Sequence, residues 1–374
     1  LSSKNKSPKR VLISFLGNIN YDTRGANLCS SLKADGLEVD TLSFDWVQRK
    51  PGGEIPVIRL DKSKSSLLFY FKFLFSVTFK LIFNKYDLYI ASDIYNLPIL
   101  ALFAEFRGKP LYYDSRELFR YLAGLKNKVN VQWLLAKIEE SFIVKCDKII
   151  VTGMMDAEVL MEDYGITPEK FILLRNLPKP VKTFEKLDLR KLYGFPENSL
   201  ILIYQGVILK GRGLGKLISL LPTLEDVCLV ILGDGDLRPE LENYVTDLQM
   251  THRVKFAGTI PQNELLSYTA SADIGCVLIE NISRSYYYAL PNKLFEYIAV
   301  GVPVLASNLP QMVQIIDEFG VGKYVDPEEQ DEIVDTIELL RNPEFRNTIK
   351  ANAEIAHQRL NWDDEYALVR RYFI

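Results

Sequence analysis

Histidine is almost missing from these 374 residues: there are two, His252 and His357, and neither lies in the first half, so no imidazole is at hand there for acid–base work. Cysteine is scarce as well. Cys29, Cys146, Cys228 and Cys276 stand apart without any metal-ligand spacing, which argues against a cysteine metal site and reads as reduced core thiols. A strong charge of one sign is lacking, since the net charge is −3, and no nucleic-acid partner is expected. No secretory signal is visible: the first ten residues are polar and basic, and a cytoplasmic protein is expected. Internal repeats and low-complexity tracts are absent. The run Leu67 to Phe83 is 17 residues long and interrupted by Lys72 and Lys80, too short and too charged for a comfortable membrane span.

What is present is an ordered, globular composition, 48% hydrophobic and 25% charged, in a chain long enough for two domains. Short β-rich runs alternate with helical patterns throughout, which predicts an α/β fold with parallel sheets. Seven strand candidates run from Val11–Leu16 to Phe171–Leu174, and six more from Leu200–Gln205 to Gly322–Val325. Between them, Asn176 to Asn198 holds Pro178, Pro180 and Pro196, which favours an extended connector. The expected division is 1–178, 179–358 and a final helix over 359–374 with Trp362, Tyr366, Val369 and Phe373 along one side. Residues 1–180 carry 26 basic and 20 acidic side chains against 19 and 28 in the rest. A basic first half suits an anionic partner such as a phospholipid surface or a lipid-diphosphate acceptor, with chance drift between domains as the alternative.

Between Tyr286 and Ser307 the chain reads as a loop, a proline-opened helix with one acidic residue, and a buried strand. Pro291 suits the first helical turn, which leaves the amides of Asn292, Lys293 and Leu294 at a positive helix end able to bind diphosphate. Glu296 follows about one turn later, where a carboxylate can accept hydrogen bonds from both hydroxyls of a ribose. The alternative is an ordinary amphipathic helix with Glu296 solvated. The wording Pro-Asn-Lys-Leu-Phe-Glu-Tyr followed by Gly-x-Pro-Val resembles the donor-binding signature of family 4 glycosyltransferases. That resemblance implies a retaining, nucleotide-sugar-dependent transferase. It also implies the GT-B fold: two Rossmann-like domains facing each other across a cleft, with a C-terminal helix that crosses back to the first. No cofactor is expected beyond the nucleotide-diphosphate sugar itself, and no metal.

In the second half, Tyr204 to Leu214 places a strand end, a glycine turn and two cations before a helix. Gly206, Gly211 and Gly213 let the backbone come close to a phosphate, and Lys210 and Arg212 bring charge. The resemblance assigns Arg212 the phosphate, with Lys210 second. Gly233 lies in a Gly-x-Gly turn after the next strand, and Asp234-Gly-Asp236 there also spells a metal pattern of a different transferase fold. The resemblance further makes Thr259 and Ile260 candidates for contact with the base. In the first half, Gly17 and Arg24 lie in a loop similar to the family's first glycine loop beside the sugar diphosphate; a simple polar turn is the alternative.

Tyr112 to Phe119 resembles the family's Tyr-Asp-x-His-Glu-Leu-Phe segment, with Arg116 where histidine is usual. Ser92 replaces a second frequent histidine. Asp114, Glu117 and Arg116 are the candidate catalytic or acceptor-orienting groups, although a carboxylate at a strand end is also a common helix N-cap. Tyr288 stands where many members carry the first glutamate of Glu-x7-Glu. The resemblance as a whole implies transfer of a sugar to a cell-envelope glycan or lipid-linked acceptor. The alternatives are a non-catalytic nucleotide-sugar-binding subunit and an epimerase or phosphorylase of similar shape. The apolar run Leu67 to Phe83, flanked by Lys62, Lys64 and Lys85, suits either a buried crossover helix or an interfacial helix on the inner face of a membrane, and both together if its aromatic side protrudes.

Overall fold

Runs of four to six apolar residues with no polar alternation make strands buried on both faces, and such strands pair in parallel beneath helices. In the computed structural model, which describes residues 8–46, 55–61, 66–180 and 184–374, that is what the runs do. The chain divides into two compact units, residues 1–176 with 365–374, and residues 177–364.

The first unit runs β1 (Arg10–Phe15), α1 (Thr23–Ala34), β2 (Glu38–Asp45), β3 (Ile58–Arg59), α2 (Ser66–Phe83), β4 (Leu88–Ala91), α3 (Leu97–Arg107), β5 (Leu111–Ser115), α4 (Val129–Ile143), β6 (Lys148–Val151), α5 (Met154–Tyr164) and β7 (Phe171–Leu173). Its seven strands form one parallel sheet in the order β3-β2-β1-β4-β5-β6-β7. The short edge strand β3 is exposed, unlike its neighbours, because no further strand covers it. The polar start of the chain through residue 7, together with Lys62 and Lys64, lies outside the described residues, as does the side chain of Leu67.

The second unit runs α6 (Leu189–Tyr193), β8 (Leu200–Gln205), α7 (Leu214–Leu220), β9 (Val227–Leu232), α8 (Arg238–Asp247), β10 (Val254–Gly258), α9 (Gln262–Thr269), β11 (Ile274–Val277), α10 (Arg284–Tyr287), α11 (Asn292–Ala299), β12 (Val304–Ser307), α12 (Pro310–Phe319), β13 (Gly322–Val325), α13 (Gln330–Arg341) and α14 (Pro343–Arg359), and the final helix α15 (Trp362–Val369) starts in it and belongs to the first unit from Glu365 on. The sheet order is β10-β9-β8-β11-β12-β13, all parallel. Every residue of β8 and β9 is buried, and two apolar clusters fill the space on either side of the sheet.

The last residues return to the first unit, as the resemblance implies. Arg175 grips Glu365 as a fork, Nε to Oε1 at 3.0 Å and Nη2 to Oε2 at 2.6 Å. Tyr366 donates to Asp35 at 2.7 Å, and the Phe373 ring packs edge-on against Tyr112 at 5.7 Å. Trp362, Tyr366, Val369 and Phe373 are all buried.

Candidate functional site

In the second sheet the chain moves one way from β8 and the other way from β11, which lie side by side. Loops leaving the carboxyl ends of such strands part in opposite directions and open a crevice, the usual ligand position in an open parallel sheet. Three of the expected motifs meet here. Residues 206–213 follow β8, residues 278–291 follow β11, and α11 begins at Asn292. The two loops are tied by the amide of Glu280 donating to Gly211 at 3.0 Å. Glycine is demanded where backbones touch. A Cβ on Gly233, whose φ is +133°, would run into the carbonyl of Gly206, and one on Gly213 into that of Leu278. Asp234 accepts the amide of Gly235 at 2.9 Å, and a tight turn follows, closed by the Arg238 amide donating to the Gly235 carbonyl at 3.0 Å.

Lys293 is buried on α11, its Nζ 3.6 Å from the centre of the Tyr204 ring, and it makes no ion pair among the described residues. Tyr204 is held in turn by its hydroxyl donating to Val207 at 2.7 Å. Burial first, and then the nearby Arg212, push the Lys293 ammonium well below the ordinary lysine range, with Glu296 opposing. Arg212 lies 4.5 Å over the Tyr286 ring, whereas Lys210 is exposed. Pro291 is the residue before the helix rather than its first turn, and its carbonyl accepts the amide of Leu294 at 3.1 Å. The helix end therefore offers the amides of Asn292 and Lys293 and not that of Leu294, because the first turn closes on itself.

Glu296 is not a solvated surface residue. It is buried, and Gln205 at the end of β8 donates its Nε2 to Oε2 of Glu296, while the Thr269 hydroxyl lies 2.7 Å from Oε1 of Gln205. Burial raises the Glu296 carboxyl, and hydrogen bonds from Gln205 and Gln262 pull the other way. Sequence reasoning did not single out Gln205 or Thr269. A polar residue closing the wholly apolar β8 was the available signal. Farther along the carboxyl edge, Thr259 is exposed and Ile260 half-buried after β10, and the Gly258 carbonyl takes the amide of Gly233 at 2.7 Å. Tyr288 follows α10, its ring against Tyr287 and its carbonyl accepting Nε2 of Gln311.

The first unit has a matching reversal between β1 and β4. Asp93, buried after β4, accepts the amides of Leu16 at 2.6 Å and Asn96 at 2.8 Å, which ties the two loops. Gly17 folds back on β2, its carbonyl accepting Phe44 N at 3.0 Å and Ser43 Oγ at 2.9 Å. Arg24 and Asp114 are both almost fully buried and pair at 2.6 Å. Arg116 joins them, Nε to Asp114 Oδ2 at 2.9 Å and Nη1 to Asp22, with its guanidinium 4.5 Å over the Phe15 ring. Arg24 is thus inside the unit, where burial pulls it below the usual arginine range, rather than at a phosphate surface. Asp114 has no exposed surface and holds two arginines. Of the three carboxyl-segment candidates only Glu117 is exposed.

Residues 185–355 match the family model described as "Glycosyl transferases group 1". An uncharacterized glycosyltransferase of Methanocaldococcus jannaschii is 28% identical over 185 residues, 48% of this chain and 46% of that protein. The amylovoran biosynthesis glycosyltransferase AmsK of Erwinia amylovora is 27% identical over 48% of this chain and 41% of its own length. The chain thus spans about half the length of the curated relatives it matches. Among solved structures, sucrose-phosphate synthase from Thermosynechococcus elongatus superposes over 98% of both chains with a TM-score of 0.77 at 18% identity. Anabaena HepE in complex with UDP-glucose does so over 97% of this chain and 98% of its own with a TM-score of 0.73 at 18% identity. Residues 185–355, a little under half of the chain, are thus similar to the group 1 glycosyltransferases, and the fold of the whole chain is GT-B.

Proposed function

We propose that the chain is a retaining glycosyltransferase that takes a sugar from a nucleotide-diphosphate sugar and passes it to a cell-envelope glycan or lipid-linked acceptor. The observation that carries this is Lys293, a buried ammonium with no carboxylate partner among the described residues, set beside Gly206 at the sheet reversal. Such a cation is stabilised by an anion, and a diphosphate also meets Arg212 and the amides of Asn292 and Lys293. Glu296, oriented by Gln205, receives the ribose hydroxyls. Gly258, Thr259 and Ile260 border the base. The sugar carbon's bond to the diphosphate breaks as its bond to the acceptor oxygen forms on the same face, and a diphosphate oxygen takes the acceptor proton. Charge stabilisation of the leaving group carries most of the rate. The relatives' names fit an envelope product: AmsK is named for amylovoran biosynthesis, and LpsE of Rhizobium meliloti for lipopolysaccharide core biosynthesis.

A second reading, a nucleotide-sugar-binding subunit that serves an active partner, is favoured by the burial of Asp114 and by Tyr288 at a position where the family often has glutamate. Incubating the purified chain with UDP-, GDP-, ADP- and TDP-sugars and an envelope lipid extract separates the two. Release of nucleotide from one donor, with a product whose anomeric configuration by NMR equals the donor's, is expected. An inverted product overturns the retaining reading. Binding without release in every mixture supports the subunit.

A further inference from the structure

Helix α2 buries one side and leaves the other bare. Phe69, Phe73, Val77 and Leu81 pack into the first unit, while Phe71 (67% exposed), Phe75 (62%), Phe79 (57%) and Phe83 (70%) run along the opposite side at a spacing of one turn. Their rings lean on one another in series, with centres 6.5, 6.2 and 4.8 Å apart. Leu68, Leu74 and Ile82 widen the stripe. At its end Arg107 of α3 donates to the Asn84 carbonyl at 2.5 Å, which ties the start of the next loop to α3, where Phe106 (86% exposed) and Leu102 one turn before it are bare as well. A contiguous bare aromatic surface of this kind on one unit marks an interaction face.

The surrounding charge says what covers it. No acidic residue occurs between Asp61 and Asp87, whereas Lys72, Lys80 and Lys85 lie on or next to the helix. Lys80 pairs loosely with Asp40 at 3.6 Å; Lys72 and Lys85 make no ion pair among the described residues. The Ser76 and Thr78 hydroxyls bond back to the helix, Ser76 to the Lys72 carbonyl at 2.9 Å and Thr78 to that of Leu74 at 2.7 Å, and so ask nothing of an apolar neighbour. A second copy packed by two-fold symmetry would present the same patch, and residues 62–86 offer its lysines no carboxylate. A sheet of hydrocarbon beneath anionic headgroups suits both the rings and the lysines. With its other side packed inside the unit, α2 cannot cross the bilayer, and no helix among the described residues is long and apolar enough to do so.

We infer that the α2–α3 face docks flat on an anionic lipid bilayer, the phenylalanine stripe entering the headgroup boundary and the lysines meeting lipid charge. This holds whether or not the chain transfers sugar. The test is co-sedimentation of the whole chain with vesicles of phosphatidylcholine alone or with about one third phosphatidylglycerol. Binding to the anionic vesicles is expected, weakened at least about tenfold in Phe75→Ser/Phe79→Ser and, separately, in Lys72→Glu/Lys85→Glu, and reduced by salt in the wild type. Circular dichroism melting identifies any variant that misfolds, and the lysine pair, fully on the surface, keeps the test open if the phenylalanine pair fails. No binding to anionic vesicles, or binding equal in well-folded variants, overturns the inference. So does a dimer in sedimentation velocity that Phe75→Ser/Phe79→Ser dissolves, since the face then belongs to a second copy.

Discussion

At the scale of single residues, the second unit's site rests on two groups held against their solvation preference. Glu296 is buried and kept in place by Gln205, so Glu296→Ala is expected to weaken nucleotide affinity by about 1–3 kcal/mol through loss of a charge-assisted bond. Gln205→Leu should lower it less, by disordering the carboxylate, and isothermal titration of both variants checks the order. Elsewhere, Glu139 is buried beneath Tyr113 and Tyr164, whose hydroxyls donate to it at 2.7 and 2.8 Å, and burial pushes its carboxyl up to about 7. A carboxyl raised in the folded state stabilises the fold fully below its unfolded value of about 4.3 and loses that contribution as pH rises through about 7. Glu139→Gln should therefore gain on the wild type between pH 5 and pH 8, by on the order of 1–3 kcal/mol, read as diverging melting temperatures. Parallel melting curves across that range would contradict this.

At the scale of elements, the strands were legible because a strand covered on both faces must be apolar along most of its length, as β9 is throughout and β8 and β12 are up to their closing Gln205 and Ser307. The helix between Pro291 and Gly301 was legible for the same reason in reverse: proline and glycine punctuate it. What could not be read was pairing across distance. Arg116 reaches Asp22, 94 positions away, and Gln205 reaches Glu296, 91 positions away, and neither partner is marked in the local pattern. Arg24 looked like a loop cation for the same reason, since only the folded chain sets it on Asp114. Two buried guanidiniums on one carboxylate make a definite expectation. Asp114→Ala leaves the buried Arg24 uncompensated, while Arg116 keeps Asp22, and should cost about 3–5 kcal/mol of stability by chemical denaturation. In the second unit, Gly233→Ala forces a side chain against Gly206 at a positive φ and should cost at least about 2 kcal/mol.

At the scale of the whole molecule, the alternation of strand and helix and the connector after Asn176 carried the two-unit division in outline, while the return of the last ten residues came from resemblance and not from their pattern. Those residues supply Glu365 to Arg175, Tyr366 to Asp35 and Phe373 to Tyr112. A chain ending at Asp364 should accordingly show a lower melting temperature and faster proteolysis within residues 8–176, with the second unit retaining its nucleotide affinity. The most direct test of the donor site is a thermal-shift panel of UDP-, GDP-, ADP- and TDP-sugars on the wild type, Glu296→Ala and Lys293→Met, because a ligand that binds the folded state raises its melting temperature. One base-selective shift in the wild type, lost in both variants while their unliganded melting stays cooperative, is the expected result. A shift that survives both substitutions would put the donor somewhere other than the reversal between β8 and β11.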